Sequence, residues 1–377
     1  MFLLAGVYLF SKPMSSIQGQ EHRHKELVFG GIFLLLGLLQ SGVFLSVYGT
    51  AVLSSPCGLI GKYINNSGCI HAFDYGESND GVYVAFLPDN QTLAQNIKKS
   101  IPFSPISGWV GFWTPILRHD DDVQHFLVSK DGKRLTSFTV NREGLHLWLW
   151  DTTNQNLMSK QFVPDETYFN NNTALSNNGE LIAFSGDKQG DDRIEIWQLQ
   201  PWQKQFSFPG EGPIALSLDN KFLVGFEDKS KIVIRDTESG NAITTIDIPE
   251  SRAHSMRGLA FSPDGQQLAG FDRNSTIFIW QIPTGDLIHT FQEDWGYPAE
   301  QLVYSPDGNW LASGYYDSDG KYLTIWDAKT GQLQKQTTLG KTTRYSPKSF
   351  SFTADGQLLA VGMNDAAFVF EFEKLRQ

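Results

Sequence analysis

Hydrophobic positions along the chain follow two regimes. Residues 27–53, LVFGGIFLLLGLLQSGVFLSVYGTAVL, run without a single charge. Roughly 20 apolar residues suffice to cross the hydrocarbon core as a helix, so this segment predicts one membrane span. Further on, apolar residues come in short runs that alternate or are fully apolar. Gly, Asn, Asp and Pro punctuate them, which predicts many short β-strands joined by tight turns.

The turns repeat. "FLPDN" (86–90), "VSKDG" (128–132), "LSNNG" (175–179), "LSLDN" (216–220), "FSPDG" (261–265), "YSPDG" (304–308) and "FTADG" (352–356) share one shape. They end at residues 90, 132, 179, 220, 265, 308 and 356, so the period stays between 41 and 48 residues. Each is followed by a β-rich run ending in an aromatic residue or its substitute: 109–114, 145–151, 193–198, 231–236, 276–281, 322–327 and 367–372. Trp113, Trp150, Trp197, Trp280 and Trp326 close five of them, and Arg235 and Phe370 the other two. A repeat of this length buries its faces only by stacking on its neighbours. In the first copy, residues 97–107, with Pro102 and Pro105, read as an insertion.

The stretches 261–291 and 304–335 resemble WD40 repeats, and the likeness extends over about 65–377. It implies an all-β, seven-bladed propeller. The family's Gly-His pair is mostly missing; Arg118-His119 is the one pair at a fitting spacing. The family's internal His–Asp–Trp bonding is therefore expected to be largely replaced by packing of Trp and aliphatic strands. The last copy leaves no room for an outer strand before Gln377, whereas "SGCIHAF" (67–73) matches the repeat ending "TGDLIHTF" (284–291). Residues 67–75 are thus expected to supply the closing strand, pairing 69–74 with 367–372. The predicted organisation is a segment 1–26, a transmembrane helix 27–53, a linker 54–66 and a propeller 67–377.

Lys12, Arg23 and Lys25 precede the apolar segment and only Lys62 follows it closely, which places the N-terminus inside and the propeller outside the cytoplasm. Gly49-Thr50-Ala51 offers a cleavage site for the competing signal-peptide reading. Residues 1–10 are apolar but too short to span alone. Gly37 with Ser41, and Gly42 with Ser46 and Thr50, give the small-residue spacing that permits self-association of membrane helices. Outside the cytoplasm the two cysteines, Cys57 and Cys69, are expected to form a disulfide.

The net charge of −11, without a basic block in the repeats, argues against a nucleic-acid partner. No nucleophile elbow, phosphate loop, HExxH or CxxC occurs, so neither catalysis, cofactor nor metal is expected. "RHDDD" (118–122) is weighed as a cation site against an acidic loop; "DSDGK" (317–321) and "GDKQGDDR" (186–193) read as hairpin turns. Trp295, Tyr297, Phe271, Tyr315 and Tyr316 are expected to gather on the face that carries inter-blade connections, as a partner-binding patch. The leading expectation is a membrane-anchored scaffold or receptor module for protein partners. The alternative is an extracytoplasmic small-ligand-binding or enzymatic propeller working at the central channel mouth.

Overall fold

The structure, a computed structural model, describes residues 53–55, 69–74 and 82–377, except 97, 107–115, 164–167, 189–190, 229, 249–255, 293–296, 299–300, 341–346 and 365. Its recurring unit starts from the tight turn. In the fifth copy Ser262 Oγ donates to Asp264 Oδ1 (2.6 Å) and accepts the Gln267 N–H (2.9 Å), while Asp264 Oδ1 accepts the Gln266 N–H (3.0 Å). Ser129–Asp131, Ser217–Asp219, Ser305–Asp307 and Thr353–Asp355 make the same hydroxyl-to-carboxylate bond, and Ser176–Asn178 substitutes an amide. The first copy has Leu87 instead of the hydroxyl, and Asp89 alone accepts the N–H groups of Gln91 and Thr92. The fifth turn residue has positive φ in all seven: glycine at 132, 179, 265, 308 and 356, and asparagine at 90 and 220. Those two residue types enter the left-handed region at least cost.

Each turn joins an innermost strand to the second of a four-stranded antiparallel blade. Blade 2 is representative: Val123–Val128, Arg134–Asn141, Gly144–Asp151 and Leu157–Val163, in that order from the centre outwards. Seven such sheets follow one another. In blade 6 the innermost position is shared by Tyr297–Pro298 and Val303–Tyr304, both paired with Trp310–Tyr316.

The buried apolar residues fall into seven clusters among the described residues, one at each junction of neighbouring blades. Phe138 and Leu147 of blade 2 meet Ile182 and Phe184 of blade 3, for example, and Val84 and Leu93 of blade 1 meet Ala367 and Val369 of blade 7. The core is therefore a ring of interfaces. No blade buries both faces by itself, which is why the period is a blade and why closure matters.

Closure uses both ends of the described chain. Blade 7 contains Ser349–Phe352, Leu358–Gly362 and Ala366–Glu371, and its next strand is Cys69–Asp74. The register pairs Cys69 with Phe370, Phe73 with Ala367 and Asp74 with Ala366. Blade 1 docks on the same blade: the N–H groups of Val84 and Phe86 donate to Ser349 Oγ and Ser351 Oγ, each at 3.0 Å.

Three expectations require correction. Residues Ser100–Pro105 are not an insertion but the third strand of blade 1, paired with Thr92–Gln95 and with Ile116–Arg118. Ile101 and Phe103 are buried, so the segment keeps a strand's packing despite its prolines. Residues 109–114, with Trp113, lie outside the described residues. At the other end, Phe372 belongs not to the strand but to a short helix, Phe372–Arg376. Finally, Leu53–Ser55 is neither membrane span nor linker: it is a fifth, edge strand of blade 7, pairing Leu53 with Asp74 and Ser55 with Ala72. Among the described residues no helix is long and apolar enough to cross a membrane. Residues 27–52 lie outside those described.

Candidate functional site

The innermost strands of all seven blades wall a central channel of about 1240 Å³. Its described lining is mainly aliphatic, aromatic and hydroxyl-bearing, including Val84, Phe126, Ile214, Leu302, Ser349 and Thr353. The charged side chains on that wall are Lys130, Arg257 and Lys348, and no carboxylate appears among the described lining residues. Sequence reading missed these three, although Arg257 and Lys348 stand at the same repeat position, eight residues before Gly265 and Gly356. His125 lines the channel too, but burial lowers its pKa to about 4, and Tyr83 meets its ring edge-on at 4.5 Å. One neutral imidazole without an opposing carboxylate does not make an acid–base pair.

Two of the five residues expected in the aromatic patch are buried. Phe271 is 3% exposed and packs between blades 5 and 6 with Leu302, Tyr304 and Trp326. Tyr315 is 2% exposed, stacks on Tyr322 at 4.8 Å and accepts a hydrogen bond from Gln336 Nε2 at 2.9 Å. Both belong to second strands, which lie inside the blade and are covered by neighbouring blades on either side. Tyr316 is half-buried at the channel wall, and its backbone pairs with Tyr297. Trp295 lies outside the described residues.

The polar clusters resolve into structure. In "RHDDD", His119 turns inward and Asp120 outward, so they do not converge. His119 Nε2 lies 2.7 Å from Ser137 Oγ, which also accepts Trp150 Nε1–H at 3.1 Å. Burial lowers the His119 pKa to about 4. This His–Ser–Trp chain gives blade 2 an internal polar staple. Asp120 instead accepts from Lys160 Nζ at 2.7 Å. In "DSDGK", Asp317 Oδ1 accepts the N–H groups of Asp319 and Gly320, which makes a hairpin turn. In "GDKQGDDR", Asp187 pairs with Asp192 across the next hairpin. No group of three or more metal-ligating side chains occurs among the described residues. Cys69 is held in a disulfide; Cys57, the chain's other cysteine, lies outside the described residues.

Another surface was not singled out from sequence. Leu157, Leu287 and Leu333 are the first residues of outer strands in blades 2, 5 and 6, and all are exposed, as is Ile243 one residue further along in blade 4. The turns before them pack on the tight turns: the Thr152 N–H donates to the Lys133 carbonyl and the Ala328 N–H to that of Asn309. The four side chains thus form an interrupted apolar rim at the tight-turn face.

The family model described as "WD domain, G-beta repeat" matches residues 244–281 and 285–327. Two stretches of the ring thus match the WD40 repeat. Among known proteins, the chain is similar to human "Apoptotic protease-activating factor 1", with 26% identity over 57% of this chain and 17% of that protein. It is also similar to "WD repeat-containing protein SL1-17" of Schistosoma mansoni, 25% identical over 42% of this chain and 50% of the other. It thus spans at most half the length of these relatives. A chain in "Crystal Structure of Mitotic Checkpoint Complex" superposes with a TM-score of 0.64, covering 81% of this chain and 96% of that one at 14% identity. That likeness concerns the fold.

Proposed function

We propose that this WD40 propeller is a membrane-anchored scaffold that binds protein partners outside the cytoplasm. The observation that carries the reading is the contrast between channel and rim. Among the described residues the channel wall brings no acid–base pair together, whereas exposed apolar side chains recur at near-equivalent positions of blades 2, 4, 5 and 6. Scattered apolar residues mean little, but repeated ones on one edge suit a partner interface. The apolar stretch 27–52 supports the anchor, and the disulfide at Cys69 supports an oxidising compartment.

The test compares proteins that copurify with the full chain, extracted in detergent from its native membrane, with those recovered by Leu287→Asp/Leu333→Asp. Both positions are exposed, so the fold should tolerate the change. Loss of a defined set of partners by the double variant is the expected result. An identical set would rule out the rim as the binding surface.

A further inference from the structure

We propose that the face of the ring carrying the inter-blade connections lies against the bilayer, with the tight-turn face directed away from it. The inference rests on the membrane reading above and adds an orientation to it.

The geometry follows from strand direction. Turns between third and outer strands pack on the tight turns, so both occupy one face. The inner hairpins and the connections between blades must then occupy the other. In blade 7 the inner hairpin is closed by the Met363 N–H donating to the Ala366 carbonyl. Asp74 pairs with Ala366, and Leu53 pairs with Asp74. Leu53 therefore stands at the connection face, on the outer edge of the ring. The apolar segment 27–53 reaches this same Leu53, and the first charge after it is Lys62. No spacer separates the apolar segment from the ring, so a segment inserted in a bilayer holds this edge at the membrane surface.

Side chains elsewhere on that face fit the same neighbour. Tyr316 ends the second strand of blade 6 there, its backbone paired with that of Tyr297. Trp and Tyr concentrate at the headgroup level of membranes because an apolar ring and a polar tip both find partners there. In blade 2, Val140 is 48% exposed beside the inner hairpin, and Phe162 is 45% exposed near the same end. This face carries both signs: Lys98, Lys99, Arg142 and Arg273 stand on it with Asp120, Asp122, Glu143 and Asp319.

The experiment uses the full chain in vesicles that contain a headgroup-nitroxide lipid. A fluorophore is attached at Arg142→Cys or Ser318→Cys on the connection face, and at Lys329→Cys or Ala354→Cys on the opposite face. All four positions are exposed, and labelling under oxidising conditions leaves Cys69 protected. Quenching at 142 and 318 at least threefold stronger than at 329 and 354 is expected. Equal or reversed quenching in a chain that floats with the vesicles overturns the orientation alone. A chain that stays soluble and fails to float overturns the anchor, and the orientation falls with it.

Discussion

The side-chain oxygen of Asn90, in the first tight turn, accepts the backbone N–H of Ala354, in the last, at 2.7 Å. Asn220 does the same for Asn177 between blades 3 and 4, also at 2.7 Å. These are the two turns in which asparagine replaces glycine at the left-handed position. The replacement has two separable effects: it tolerates positive φ, and it reaches the neighbouring blade. Asn90→Gly keeps the first and loses the second, which should cost about 0.5–1.5 kcal/mol. Asn90→Ala loses both and should cost about 1–2 kcal/mol more. Thermal melts should rank wild type above the glycine variant and that above the alanine variant. An alanine variant as stable as the glycine one would remove the backbone argument.

Ring closure makes a stronger demand. Without Cys69–Asp74, the strand Ala366–Glu371 becomes an edge, exposing unpaired backbone groups beside the buried Phe368 and Phe370. Deleting residues 67–75 should abolish the cooperative melt and leave an aggregating chain. A gentler probe is Cys69→Ser. A disulfide is typically worth about 2–4 kcal/mol, so this variant should melt earlier than wild type in oxidising buffer. Reductant should lower the wild-type midpoint and leave that of the variant unchanged. A wild-type midpoint indifferent to reductant would mean that the bond does not bear on stability.

Much of this closure was legible in the sequence, and the reason is local. The seven turns announce themselves because each needs a left-handed residue, so Asn90 and Asn220 stand where glycine would. The repeat ending at 67–73 is recognisable beside 284–291 because an outer strand has a turn before it and alternation within it. Two features were hidden. Pro102 and Pro105 disguised the third strand of blade 1, although Ile101 and Phe103 keep its alternation. The burial of Phe271 and Tyr315 left no trace either. A middle strand of a blade is covered on both faces, so alternation does not say which aromatic residues reach solvent. Leu157, Leu287 and Leu333 were seen as strand residues but not as a rim, because their equivalence is set by the ring.

Acid should weaken blade 2 and its junction with blade 1. Burial holds both His119 and His125 near a pKa of about 4, while in the unfolded chain both protonate around the ordinary imidazole value of 6.5. Between these values the unfolded state binds more protons, so stability rises with pH. The histidine contribution should be level above pH 6.5, fall as pH drops towards 4 by about 1.4 kcal/mol per unit for each histidine, and flatten below. His125 has an aromatic setting, edge-on to Tyr83 and stacked at 6.1 Å on Phe138. His125→Phe should keep the fold and reduce the slope by about half. Urea melts at several pH values between 4.5 and 7.5 measure this, and an unchanged slope would show that His125 does not titrate on unfolding.

The seam between the last and first blades can be tested at one atom. A Cβ built on Gly362 would sit 2.1 Å from the Val82 carbonyl oxygen and 2.6 Å from Ser349 Oγ. The carbonyl belongs to the backbone entering blade 1, so it cannot move aside as a side-chain tip can. Ser349 Oγ accepts the Val84 N–H, so displacing it also breaks the contact that seats blade 1 on blade 7. Gly362→Ala should therefore cost several kcal/mol, in the range where overpacking and a lost buried hydrogen bond combine. Gly265→Ala is the control. Gly265 has φ of +69° with nothing within 4 Å of a built Cβ, so its substitution should cost only the backbone strain of about 1–2 kcal/mol. If Gly362→Ala melts no lower than Gly265→Ala, the two blades do not approach as closely as this seam requires.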